Sequence, residues 1–135
     1  MTVESARARR REMNRAQVNS DTPQSSQRIA LQYFQMWNTG DSSIADEILS
    51  PDWTDHAHPE VTGPRGVRQA VERTRAVQPD LRFQMDTVLG DGDTVAVVGS
   101  VGRGARDEPT PRLVWLMHLQ EGRLAEMWTY RDTSA

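Results

Sequence analysis

The amino-acid sequence predicts one α+β domain, with helices laid on one face of an antiparallel sheet, and three observations carry that prediction. Apolar residues recur with helical spacing early in the chain, at Ile29, Ala30, Tyr33, Phe34 and Trp37 and again at Val67, Ala70 and Val71. From Leu81 onward the apolar period becomes two, as half-buried strands require. A chain of 135 residues has room for one core and not for two. Helices that precede the strands instead of alternating with them define α+β, and a twisted sheet covered on one side leaves a pocket between the layers.

The elements follow in order. A first helix is expected over residues 25–38, stopped by Asn38-Thr39-Gly40-Asp41. Asp41 or Ser42 can cap a short second helix through Leu49, with Ile44, Ile48 and Leu49 inward and Pro51 ending it. Residues 53–58 read as a short extended piece, and Gly63-Pro64 opens a third helix over 65–77. Four strands are expected at 81–89, 94–102, 111–119 and 123–131. Gly90-Asp91-Gly92-Asp93 and Gln120-Glu121-Gly122 are hairpin signals between them. Residues 1–26 carry few large apolar side chains and read as an Arg-rich arm, helical or disordered, leaving 27–135 as the folded domain.

Composition excludes several classes of function. With no Cys there are no disulfides, thiolate metal sites or cysteine nucleophiles. The longest apolar runs, 95–98 and 113–117, are far below the ~20 residues of a membrane span. With no secretory pattern at the start, a cytoplasmic protein is expected. The net charge of -3 gives no general attraction to nucleic acid or membrane, and neither is expected as a partner. Every basic residue is Arg, as a GC-rich genome favours. Five of them (Arg7, Arg9, Arg10, Arg11, Arg15) stand in the first twenty residues against Glu4 and Glu12. That arm has no interleaved aromatic residue to stack on bases.

Five short words recur in register between Tyr33 and Asp132: Trp37-Asn38-Thr39-Gly40-Asp41, Asp52-Trp53-Thr54-Asp55-His56, Gly63-Pro64-Arg65-Gly66-Val67, Pro79-Asp80-Leu81-Arg82-Phe83, and 121–128 from Glu121-Gly122 to Met127-Trp128. In these words the chain resembles the SnoaL-like polyketide cyclases of the nuclear transport factor 2-like superfamily. The resemblance implies a cone-shaped barrel of curved antiparallel sheet, with three N-terminal helices enclosing a pocket. It also implies ring closure on aromatic polyketides without metal or cofactor, a role in antibiotic or other secondary metabolism, and homo-oligomers formed through the sheet. Two departures stand out. Such cyclases usually carry an Asp five to six residues before the last hairpin, where this chain has Trp115. Their last strand usually reads Glu-His-Trp-Asp, where this chain has Met127 and Thr129 in place of His and Asp.

Alternation assigns the strand faces. Leu113, Trp115, Met117 and Leu119 form a uniformly apolar set that belongs inside, leaving Arg112, Val114, Leu116 and His118 outside. The same rule puts Val95, Val97, Gly99 and Val101 inside, with Gly99 leaving space for a flat ligand. On the last strand Leu124, Glu126, Trp128 and Tyr130 are expected inside. His56, at the cavity mouth by the resemblance, is the candidate base, since an imidazole accepts and returns protons near neutral pH. Glu126, inward and desolvated, is the candidate second acid. Asp55, next to His56 on an extended segment, is expected to point away from the pocket, and His58 to share the side of His56. Those two histidines lack the third ligand of a zinc site, so no metal is expected.

Trp37, Trp53, Trp115 and Trp128 come from four elements, and with Met117 and Tyr130 they are the candidate substrate-binding residues for a planar hydrophobic or aromatic molecule. Plain core packing accounts for the same indoles equally well. The expected function is a cofactor-independent cyclase. The alternatives are a diverged paralogue (a hydroxylation partner, pericyclic cyclase or epoxide-opening enzyme) and a non-catalytic binder of a hydrophobic metabolite. A homodimer is expected through the outer sheet face of Ala96, Val98, Val114, Leu116 and His118, flanked by Arg112.

Overall fold

The computed structural model describes residues 23–103 and 111–131. Its elements run α1 (Pro23–Thr39), α2 (Ile44–Ile48), β1 (Leu49–Asp55), α3 (Gly63–Val77), β2 (Arg82–Asp91), β3 (Thr94–Gly102), β4 (Leu113–Gln120) and β5 (Arg123–Arg131). Apart from residues 23–26, which belong to α1, the expected Arg-rich arm lies outside the described residues. None of the described helices is long and apolar enough to cross a membrane.

The five strands form one curved mixed sheet in the order β1-β5-β4-β3-β2, with β1 parallel to β5 and the other pairs antiparallel. The fold class is the expected one, with the sheet an unclosed, cone-like curve backed by three helices. One expectation is corrected here. The extended segment after α2 is longer than its sequence suggests, because Leu49 pairs with Leu124 and begins a strand where the helical pattern was expected to continue. Pro51 lies within that strand, and β1 tolerates it as an edge strand whose register is interrupted between Leu49 and Thr54.

The helix–sheet junction rests on the first matched word. Gly40, at φ 82°, ends α1 with its N–H on the Met36 carbonyl. Asn38 donates to the Phe83 carbonyl (2.9 Å) and accepts from the Phe83 N–H (2.7 Å), acting as a strand partner that ties α1 to the start of β2. Neither expected cap closes α2: Ser42 donates to Glu72 instead (2.7 Å), and Ser43 precedes the helix without a side-chain cap.

The core lies between the helices and the inner sheet face, where Val95, Val97, Leu113, Trp115, Met117 and Leu119 meet Ala30, Tyr33, Phe34, Met36, Val67 and Val71. Alternation therefore places β3 and β4 as expected. It fails on β5. Leu119 pairs with Leu124 but His118 pairs with Glu126, so Ala125 is an extra residue in the strand and the parity reverses after it. Leu124 stays inward. Glu126, Trp128 and Tyr130, expected inside, share the outer face with His118, Leu116 and Val114, while Met127, Thr129 and Arg131 face the helices.

Gly99 has a different role from the one expected. A Cβ there would collide with the Gln84 carbonyl oxygen, so its missing side chain admits the β2 backbone and leaves no space for a ligand. The neighbouring register irregularity, with Met85 opposite Gly99 and Thr87 opposite Val98, marks Asp86 as the extra residue that curls the sheet edge.

Candidate functional site

A cavity of about 650 Å³ opens between the sheet and helices α1 and α3. Its walls are aromatic: Tyr33, Phe34 and Trp37 from α1, Trp53 from β1, Phe83 from β2 and Trp115 from β4. These rings pack mutually, with Phe34–Trp115 centroids 4.6 Å apart and Tyr33–Trp53 centroids 5.4 Å apart. The volume lies within the range of small-molecule sites. The indole N–H groups of Trp37 and Trp53 are the buried side-chain polar groups without a partner among the described residues, and both residues line this cavity. An unpaired buried donor costs about 1–3 kcal/mol, which a ligand oxygen or an ordered water reaching it would offset.

One wall carries proton-handling groups, and they are not those the sequence pointed to. Asp55 lines the cavity and is 8% exposed. Its Oδ1 accepts the Ala57 N–H at 2.9 Å, which orients the carboxylate, and His58 Nδ1 stands 3.5 Å from Oδ2. The turn made by the His58 N–H on the Asp55 carbonyl ends the alternation of β1, so Asp55 points in, His56 points out and His58 comes back to the cavity. Both side assignments expected for this segment are thereby corrected. Tyr33 is buried beside Asp55. Burial first, and then the nearby carboxylate, push its hydroxyl well above the ordinary tyrosine range, so it keeps its proton.

His56 and Glu126 do come together, but on the opposite face of the sheet. His56 Nε2 is 3.0 Å from Glu126 Oε2, and its ring stacks on Trp128 at 4.8 Å and 5°. Both side chains are about 40% exposed, and neither lines the cavity. Of the other candidate residues, Trp37, Trp53 and Trp115 line it, Met117 is fully buried in the core, and Tyr130 is 53% exposed on the outer face. The residues missed were Tyr33, Asp55, Met127 and Thr129. The matched family word held a signal for the last two, since Met127 and Thr129 occupy its His and Asp positions. Among the described residues no cluster of three or more His, Asp or Glu is arranged to hold a metal ion.

The curved sheet backed by three helices is a fold shared with an NTF2-like protein from Cytophaga hutchinsonii, which matches at 15% identity and a TM-score of 0.61, covering 79% of this chain and 89% of that one. The chain belongs to the SnoaL-like domain family, whose model matches residues 30–127. A candidate SnoaL-like polyketide cyclase from a Jannaschia species has the same fold at 22% identity and a TM-score of 0.66, covering 87% of this chain and 92% of that one. A candidate polyketide cyclase from Bacillus cereus matches at 21% identity and TM-score 0.66, covering 80% and 74%. IdmH of Streptomyces antibioticus, likewise a candidate polyketide cyclase, matches at 20% and 0.61, covering 79% and 91%. No curated protein matches the chain.

Proposed function

We propose that the cavity is the active site of a cofactor-independent, polyketide cyclase-type enzyme acting on an aromatic or polycyclic intermediate of secondary metabolism. The observation that carries this reading is a buried carboxylate, Asp55, at the wall of an aromatic cavity beside a tyrosine that keeps its proton. Asp55 takes a proton α to a carbonyl of the bound chain, and the resulting carbanion attacks a second carbonyl to form the ring bond. Tyr33 is a neutral donor for the oxygen that gains charge. His58, largely exposed to solvent and 3.5 Å from Asp55, carries the proton to and from water. The aromatic walls hold the substrate in a near-attack fold, and for an intramolecular closure such positioning supplies several kcal/mol. The test is cyclisation of an aromatic poly-β-ketone ester by the purified chain, followed by absorbance of the closed ring. No acceleration over buffer sinks the proposal.

The same reading includes a homodimer through the outer sheet face. Ala96, Val98, Val114, Leu116 and Trp128 form a contiguous half-buried apolar surface there, and Leu89 and Tyr130 are exposed beside it. A two-fold copy would bury a patch too apolar for a lone sheet face.

A further inference from the structure

The end of the cavity away from Asp55 has a different chemistry. Asp55 pairs in register with Met127, and Arg131 lies four residues further along β5, about 13 Å away at strand rise. There the cavity is lined by Arg131, by Arg103 just beyond β3, and by Arg73 of α3, all exposed. The lining carboxylates, Asp55 and Glu60, both come from β1 and the turn after it. Arg103 donates to the Gln78 amide oxygen at 2.8 Å, a neutral partner that fixes the guanidinium. Among the described residues, no carboxylate pairs with Arg73, Arg103 or Arg131. Among the described residues that line the cavity, this end therefore carries three guanidinium groups and no carboxylate.

We infer that this rim selects planar aromatic ligands bearing a carboxylate, with Arg103 and Arg131 as the specificity-determining pair and Arg73 as a third cation. The inference rests on the cavity being the ligand site. Guanidinium groups stay charged at all working pH values and present a planar fork of donors that matches a carboxylate. The aromatic walls accept the ring system, and the length from rim to Asp55 sets the ligand's reactive end at the carboxylate base. The basic end thereby orients the substrate as well as attracting it.

The experiment compares naphthoate and anthracene carboxylate with their uncharged primary amides, each titrated into the full chain by calorimetry. The acids are expected to bind about ten-fold tighter than the amides at low salt, a preference shrinking to under about three-fold near 0.5 M salt, where screening acts within a few ångströms. The double variant Arg103→Gln/Arg131→Gln is expected to abolish the preference of acid over amide. Both positions are exposed, so circular dichroism should show an intact fold. Equal binding of acid and amide overturns the charge selection and leaves the aromatic cavity standing as a ligand site. An acid preference that survives the double variant overturns the assignment to this pair. Absence of binding by all four probes overturns the inference together with the reading beneath it.

Discussion

Replacing Asp55 by Asn, beside replacing His56 by Ala, separates the carboxylate in the cavity from the histidine behind the sheet. An Asn at position 55 retains the Oδ1 acceptor for the Ala57 N–H, so the turn after β1 persists. What it loses in stability is the 3.5 Å contact with a largely exposed His58, worth less than about 1 kcal/mol after solvent screening. The base, however, is gone. General-base catalysis contributes about 10²–10⁴ in rate, or roughly 3–5 kcal/mol of barrier. His56→Ala removes the stacking on Trp128 and the contact with Glu126, and the His56 and Glu126 side chains are each about 40% exposed. Its expected cost is under about 1 kcal/mol of stability and none in turnover. The assay is initial-rate ring closure with thermal unfolding of each variant run alongside. If His56→Ala lost as much turnover as Asp55→Asn with its fold intact, or Asp55→Asn kept wild-type turnover, the assignment of the base to the inner face of β1 would be wrong.

Three further outcomes are expected. Gly99→Ala should lower stability by about 2 kcal/mol or more, because the added methyl meets rigid backbone of β2 and not a movable side chain; an unchanged midpoint in denaturant unfolding would mean that β2 and β3 do not approach so closely. Leu116→Glu, at the centre of the outer face, should give monomers or insoluble protein by light scattering, and an unchanged dimer would place the interface elsewhere. In a Tyr130→Phe background Tyr33 is the sole tyrosine, and phenolate absorbance should stay absent well above pH 10.0, the ordinary tyrosine value. The unfolded chain releases that proton near 10 while the folded chain retains it. The stabilisation is therefore complete below about 10 and is lost as pH rises toward the folded value. Reversible phenolate formation near pH 10 in folded protein would contradict the burial of Tyr33.

Residue types and their spacing were enough to read the α+β class, the two long helices, the bounds of β3 and β5, and the inward faces of β3 and β4. Apolar burial is the dominant force, and period records it directly in the sequence. Part of the aromatic wall was legible for the same reason, since Trp37 and Trp115 sit on faces that periodicity assigns. The chemical residues were not. One extra residue at Ala125 reverses every later side chain of β5, and the turn after Asp55 reverses the order of Asp55, His56 and His58. Neither event leaves a compositional trace, because a bulge is set by pairing with another strand and a turn can use ordinary residues. A one-residue slip costs little locally yet moves a side chain across the sheet. Sequence alone thus determined which residues build the core and enclose a cavity, through the burial of apolar surface. Which carboxylate and which histidine enter that cavity was decided only by strand register, a property of the assembled sheet.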